Sequence, residues 1–107
     1  MSAYAVANIK QMNMNSKVVK YLKEIDATLE PYKGRFLVHG KQGEVVEGSL
    51  PGHLIIIEFP DLEYAREWYH SEEYQKILPL RTDHSESDVV LIDGVPENYQ
   101  ALNMLSK

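Results

Sequence analysis

The alternation of apolar and polar residues predicts that the chain opens with a strand. From Ala3 to Lys10, the odd-numbered positions place three alanines and Ile9 on one face, and Tyr4, Val6 and Asn8 fall on the other. Alanine has a low strand propensity. A face of such small side chains therefore indicates that another part of the protein packs close against it.

A helical spacing of apolar residues follows this strand. Asn15 or Ser16 is suited to cap the helix, and Pro31 cannot continue it. Between these points the apolar residues recur every three or four positions and form one stripe: Val18, Tyr21, Leu22, Ile25 and Leu29. This pattern predicts an amphipathic helix that ends before Gly34.

Two further strands are predicted after this helix. The run from Arg35 to His39 alternates, so that Phe36 and Val38 share one face and Arg35, Leu37 and His39 share the other. A turn around Gly40 and Gly43 leads to a short extended piece, residues 44–47. The run from residue 54 to residue 59 is the least polar strand, which favours a central place in the sheet and antiparallel pairing with the strand before it.

Two short helices are predicted next. Asp61 and Ser71 are good N-caps, and Pro79 predicts a kink in the second helix. In the first helix Leu62, Ala65 and Tyr69 are expected to face inward, with Trp68 at the edge of that stripe. The residues expected to share one face of the second helix are Tyr74, Ile77, Leu78 and Arg81.

The order of these elements predicts an α+β fold. A last strand, residues 87–93, completes a ferredoxin-like β-α-β-β-α(α)-β arrangement with a four-stranded antiparallel sheet. We expect one domain over residues 1–94 and a tail over residues 95–107, with an apolar helical stripe in the tail that docks on the domain or on a partner subunit. Leu37, Leu54 and Ile56, or the residues that alternate with them, are expected on the sheet face away from the helices, so two subunits should pair sheet to sheet as a homodimer.

Four blocks of sequence resemble the domain-of-unknown-function family 1330. They are GRFLVHG from residue 34, IEFP at 57–60, EWYHSEEYQ at 67–75 and PLR at 79–81, and the resemblance spans about residues 3–94. It implies a subunit of the dimeric α/β-barrel superfamily, whose two sheets form a barrel-shaped homodimer. That superfamily includes cofactor-free monooxygenases, haem-degrading enzymes, dehydratases, isomerases and ligand-sensing proteins, so the resemblance does not fix the chemistry.

Composition and charge narrow the function classes. The net charge of −5 and the scattered basic residues argue against nucleic-acid binding. The absence of cysteine excludes disulfides, thiolate nucleophiles and cysteine metal sites. No apolar run approaches the roughly 20 residues that cross a bilayer, and the N-terminus lacks a signal pattern, so we expect a cytoplasmic protein without a membrane partner.

Arg81 and Glu58 are ionisable residues at positions expected to be buried. One hypothesis is that they pair with each other as a structural or interface ion pair, because an unpaired buried charge is costly. The alternative is that Arg81 binds the carboxylate or phosphate of a ligand. Glu58, buried beside isoleucines, would have its pKa raised and could serve as a general base, whereas Glu58 paired to an arginine would stay ionised and be structural.

The remaining candidate residues are polar or aromatic. His39 is a candidate acid–base group, and Arg35 on the same predicted face is a candidate ligand contact. Trp68 and Tyr74 belong to an aromatic cluster that would serve either as core or as the wall of a pocket. Asn8 and His84 complete the candidate ligand-binding residues. The histidine spacings match no metal motif, so no metal site and no cofactor are expected.

Three functions remain open at this point. The first is a small cofactor-independent enzyme that acts on an acidic or aromatic molecule in a pocket between sheet and helices. The second is a dimer that binds or senses a small ligand without catalysis. The third is a purely structural dimerisation domain, which would have no pocket.

Overall fold

A computed structural model describes residues 1–105 and has the predicted α+β architecture. The strands and helices occur in the following order: β1 (Ala3–Met12), α1 (Ser16–Leu29), β2 (Arg35–Lys41), β3 (His53–Phe59), α2 (Leu62–Tyr69), α3 (Glu72–Thr82) and β4 (Ser85–Asp93). Short 3-10 helices lie at Glu30–Tyr32 and Ala101–Leu105. The strands β1, β2 and β4 are each longer than the alternation predicted.

The four strands form one antiparallel sheet in the order β2-β3-β1-β4. The least polar strand, β3, is central, as predicted. Ala5 of β1 lies opposite Ile57 of β3 on one side and Leu91 of β4 on the other. These residues face the helices, and the core is built where the helices pack on them.

A shift in register changes the faces of β2. Phe36 pairs with Ile57, but Val38 pairs with Ile56 and His39 with Ile55, so one extra residue is inserted between Phe36 and Val38. Since side chains alternate along a strand, an extra residue exchanges the two faces beyond it. His39 therefore lies on the helix-covered side, where its ring stacks on Phe36 at 4.5 Å. The prediction that His39 shares a face with Arg35 was wrong.

The three predicted helix caps are confirmed. The Asn15 side chain accepts hydrogen bonds from two backbone N–H groups of α1, and Asp61 and Ser71 each accept one from Tyr64 and Tyr74. Trp68, which the pattern placed at the edge of the buried stripe of α2, is in fact central to the core, with 2% of its surface exposed.

Pro79 lies inside α3 without ending it, and the backbone remains helical to Thr82. Arg81 consequently stays in register with Tyr74 and Ile77 on the buried face, as the spacing predicted. A break in the helix at Pro79 would have moved Arg81 out of register with this buried face.

The loop between β2 and β3 and the C-terminal tail differ from their predicted structures. Residues 44–47 form no strand, and the loop from residue 42 to residue 52 includes exposed apolar side chains at Val45, Val46 and Leu50. In the tail, the described part contains only the short 3-10 helix, and the side chains of the expected stripe are exposed in the single chain. Residues 106–107 of the predicted tail lie outside the described residues.

The face of the sheet away from the helices carries several large apolar side chains that are open to solvent in the single chain. Leu37, Val90 and Ile92 are exposed by 45%, 55% and 53%. Leu54 and Ile56 lie between them in the sheet and are half-buried. The assignment of Leu37, Leu54 and Ile56 to this face is confirmed.

Candidate functional site

A cavity of about 320 Å³ lies between the sheet and the helices. Its lining is mostly apolar and comes from all four strands, the three helices and the segment between β1 and α1. The lining residues are Ala5, Ala7, Ile9, Met12, Met14, Tyr21, Leu22, Ile25, Phe36, His39, Gly40, His53, Ile55, Ile57, Trp68, Tyr74, Arg81 and Val89. Ligand pockets in proteins have this character, with an apolar lining and a few polar groups, and this volume lies at the small end of their range.

The alanines of β1 explain why a cavity exists at this place. Ala5 and Ala7 form part of its floor, where larger residues would fill the space. Above them α1 packs chiefly against α3, and it is α2 that contacts the sheet more closely. The small-residue face was expected to be covered by something packed close to it, and Ala3 and Ala5 are indeed buried. Towards Ala7 the cover is incomplete, and the cavity opens there.

Arg81 is the charged group of the cavity lining. It is only 5% exposed, and its Nη1 donates a hydrogen bond to Ser87 Oγ at 2.7 Å. The guanidinium also lies 5.8 Å from the centre of the Tyr21 ring. Among residues 1–105 no carboxylate lies within salt-bridge distance of it. Desolvation by burial lowers the pKa of Arg81, but the neighbouring Tyr74 and Tyr21 outweigh it, so the pKa is raised and the group stays charged.

Two phenols lie beside Arg81. Tyr21 Oη and Tyr74 Oη are 2.7 Å apart and hydrogen-bonded, which connects α1 to α3. Burial, and to a smaller extent the proximity of Tyr74, raises the pKa of Tyr21, although Arg81 opposes the rise. Tyr21 is therefore a neutral hydrogen-bonding group at physiological pH.

Trp68 forms an aromatic wall of the cavity together with Tyr74, their ring centres 4.2 Å apart. The indole Nε1 donates to Thr28 Oγ1 at 3.0 Å, and that hydroxyl donates to the carbonyl of Ile25. The polar edge of Trp68 is thus satisfied by the protein, and its ring surface is what remains for a ligand. Trp68 and Tyr74 are thus core residues that also line the cavity.

Two histidines lie at the end of the cavity formed by the last residues of β2 and the first of β3. His39 and His53 both line it and are otherwise exposed. His39 reaches this position only because of the register shift in β2. Imidazoles are the side chains that most readily exchange protons near neutral pH.

Arg35 and Glu58 lie outside the cavity, on the open face of the sheet. The Arg35 guanidinium binds Glu58 Oε1 through Nη2 at 2.7 Å and Nε at 2.8 Å. A hydrogen bond from Ser2, followed by that from Arg35, lowers the pKa of Glu58. The hypothesis of a Glu58–Arg81 ion pair was therefore wrong, and so was the alternative of a raised pKa, because Arg35 is the partner and Glu58 stays ionised.

Asn8 and His84 are also not brought into the cavity. Asn8 lies on the open face, where its Oδ1 is buried against Gly52 and has no hydrogen-bond partner within residues 1–105. His84 lies in the turn between α3 and β4, and its carbonyl accepts a hydrogen bond from Asn13. Of the eight candidate residues, the cavity lining thus includes His39, Trp68, Tyr74 and Arg81.

Sequence reasoning missed Tyr21 and His53 as site residues. Tyr21 was assigned to the apolar stripe of α1, and the signal that could have singled it out is its hydroxyl, which needs a partner when buried. His53 precedes the predicted start of β3. As for metals, no group of three or more His, Asp or Glu side chains in the described part of the chain is arranged to hold an ion.

Comparison with known proteins agrees with this architecture. The family model described as "Domain of unknown function (DUF1330)" matches residues 2–95, which confirms the resemblance seen in the sequence. No curated protein matches the chain at a significant level. None of the described helices is long and apolar enough to span a membrane.

Solved structures of low sequence identity share the fold. The RPA0582 protein of unknown function from Rhodopseudomonas palustris has a TM-score of 0.64 at 11% identity, over 89% of this chain and 83% of that one. A dimeric ferredoxin-like protein of unknown function from Jannaschia sp. CCS1 has a TM-score of 0.59 at 8% identity, over 88% and 100%. A protein described as an antibiotic biosynthesis monooxygenase has a TM-score of 0.54 at 21% identity, over 90% and 100%.

Proposed function

The chain belongs to the DUF1330 family, and we propose that its cavity binds a small organic acid. The carboxylate of this ligand lies against Arg81, and its apolar or aromatic body lies between the alanines of β1 and the ring of Trp68. The ligand needs no metal or cofactor to be held in this way. This proposal selects the ligand-binding hypotheses over that of a purely structural dimerisation domain.

The observation that carries the proposal is the position of Arg81. A guanidinium buried to this extent is costly unless an anion compensates it, and residues 1–105 offer it only hydroxyl groups, that of Ser87 and those of the neighbouring Tyr21 and Tyr74. The guanidinium borders an empty space, so a ligand anion can reach it. A carboxylate would form charge-assisted hydrogen bonds with the guanidinium nitrogens that Ser87 leaves available.

The rest of the lining selects the body of the ligand. Apart from Arg81, the two tyrosine hydroxyls and the histidines, the wall consists of aliphatic and aromatic side chains. An aromatic ring or short aliphatic chain would displace water from this surface, which is favourable by about 25 cal/mol per Å² of apolar area. A monocarboxylate with one apolar end matches both parts of the cavity.

The histidines favour an extension from binding to catalysis. With its carboxylate at Arg81, a ligand would extend along the cavity toward His39 and His53. An imidazole there could take a proton from a carbon atom of the bound carboxylate and return it to another carbon atom, which is the chemistry of a cofactor-independent isomerase. In this scheme His39 is the acid–base group, and Glu58 has no part in the reaction because it lies on the opposite face of the sheet.

The proposal includes a homodimer formed by the open faces of two sheets. Leu37, Val90 and Ile92 make that face apolar, and large apolar patches on a subunit mark interaction surfaces. The solved Jannaschia protein of this fold is described as dimeric. The cavity lies on the other side of the sheet, so each subunit would keep its own cavity in the dimer.

The test is a comparison of a carboxylate with its neutral isostere. Binding of 3-phenylpropionate and 3-phenylpropanamide is measured by calorimetry for the wild type, R81M and the control R66M, since Arg66 is exposed on α2. We expect the wild type to prefer the carboxylate and R81M to bind it about 10- to 100-fold more weakly, the loss of a charged hydrogen bond. R66M should resemble the wild type.

Two results would contradict the proposal. One is an R81M variant that is folded by circular dichroism and keeps the affinity of the wild type for the carboxylate. The other is a wild type whose melting temperature responds to no member of a library of aromatic and short-chain monocarboxylates, because any ligand of the native state raises it by mass action.

A further inference from the structure

The two buried phenols of the cavity form a unit that the proposed function has not used. Tyr21 on α1 and Tyr74 on α3 are 6% and 2% exposed, and both line the cavity beside Arg81. Their hydroxyl oxygens are 2.7 Å apart. Their rings meet edge to face, with centres 6.2 Å apart. The hydroxyl pair therefore lies at the same end of the cavity as the guanidinium.

A count of protons shows that this pair has one donor to spare. Each phenol has one hydroxyl hydrogen, and a single hydrogen bond between the two oxygens uses one of them. The second hydrogen has no acceptor among the residues that the structure describes, because the polar group beside the pair is the guanidinium of Arg81, which can only donate. Buried donors are almost always paired, so a group outside the protein is the expected acceptor.

The neighbouring groups restrict what that acceptor can be. Burial keeps Tyr21 protonated by raising its pKa, so its hydroxyl is a neutral hydrogen-bonding group. The guanidinium next to it can only donate hydrogen bonds. A ligand group placed between them is therefore surrounded by donors and must accept on both sides.

We infer that Tyr21 and Tyr74 together select a carboxylate over its neutral analogues by donating their spare hydrogen to one carboxylate oxygen. Arg81 binds the same carboxylate, so both of its oxygens have donors. An amide presents an NH₂ group where the second oxygen would be, and that group would face a donor. This inference rests on the proposed function and names the specificity element of the same site.

The test uses the double variant Y21F/Y74F with 3-phenylpropionate and 3-phenylpropanamide as probes. The quantity measured is the ratio of the two dissociation constants, which a general loosening of the cavity would not change. We expect the double variant to lower the preference for the carboxylate about tenfold or more. Each single variant should lower it less, because the remaining phenol no longer donates to its partner and can donate to the ligand.

Tyr69 provides the matched control. Its ring packs against Tyr74, with centres 5.6 Å apart, but it does not line the cavity. Y69F should therefore keep the wild-type ratio. An unchanged ratio in Y21F/Y74F would overturn the inference. If R81M nevertheless loses the preference for the carboxylate, the proposed function would remain intact. A wild type without any preference for the carboxylate would overturn both.

A measurement on the wild type covers the case in which the double variant does not fold. Proton NMR in water should show a slowly exchanging phenolic hydroxyl resonance that moves downfield when 3-phenylpropionate is added and does not move with 3-phenylpropanamide. The single variants Y21F and Y74F assign this resonance to the pair. Saturation with 3-phenylpropionate without a shift of that resonance would also overturn the inference.

Discussion

Filling the cavity from its floor should make the protein more stable and its ligand affinity weaker. Ala7 lies on β1 and lines the cavity, so the two methyl groups added by A7V would enter empty space. At about 0.8 kcal/mol per buried CH₂, they contribute at most about 1.6 kcal/mol to the free energy of unfolding. The higher strand propensity of valine acts in the same direction.

Ala3 provides a control of the same residue type, strand and face. It is 0% exposed and does not line the cavity, so A3V must displace packed neighbours, and overpacking of this kind costs about 1–3 kcal/mol. The same substitution four residues apart should thus have opposite signs. A7V is expected to raise the melting temperature by at most about 6–13 °C, from about 4–8 °C per kcal/mol for a domain of this size, and A3V to lower it.

Urea unfolding followed by circular dichroism measures both variants, at one protein concentration because dimerisation would make stability concentration-dependent. Calorimetry with 3-phenylpropionate should show weaker binding to A7V than to the wild type. The reasoning would be refuted if A7V and A3V destabilise the protein equally, since the space above Ala7 would then be closed in solution. If A7V is more stable but binds the carboxylate as tightly as the wild type does, the proposal that the ligand occupies the space above Ala7 would be contradicted.

Two further predictions concern the open face of the sheet. Hydrogen bonds from Ser2 and then Arg35 lower the pKa of Glu58 from its usual 4.5, so the stability that ionised Glu58 contributes is present above pH 4.5 and is lost as the pH falls through the lower folded-state pKa. Between about pH 5 and about pH 3, the melting temperature of E58Q should therefore fall less than that of the wild type. A parallel decline of the two melting temperatures would contradict this. V90K places a charge on the open face of the sheet, where the two subunits are proposed to meet, so light scattering should show monomers instead of dimers. V19K, on the outer surface of α1, should remain dimeric. A monomeric wild type or a dimeric V90K would exclude this dimer interface.

Local chemistry explains why most of the fold could be predicted. Asn15, Asp61 and Ser71 cap helices with their own side chains, and these bonds involve residues two or three positions away. Strand alternation and helical spacing are equally local. The residues between β2 and β3 were mispredicted as extended, because Val45 and Val46 have strand propensity but no neighbouring strand to pair with.

The candidate site was only partly predictable, because its members meet through tertiary packing. The spacing along α3 was enough to place Arg81 beside Tyr74. The choice of Glu58 as its partner was wrong because Arg35, on the neighbouring strand, pairs with Glu58 across the open face. His39 was predicted to lie on the same sheet face as Arg35, but the register shift in β2 places it on the opposite face, where it lines the cavity.

The sequence alone determined the strands, the helices, their order and the apolar character of both sheet faces, since each depends on residues close together along the chain. The tertiary structure decided where space remains. The cavity exists because α1 rests on α3 above the small side chains of β1. The Tyr21–Tyr74 hydrogen bond joins residues 53 positions apart. Neither feature has a local signal, because both depend on how the finished elements pack against one another.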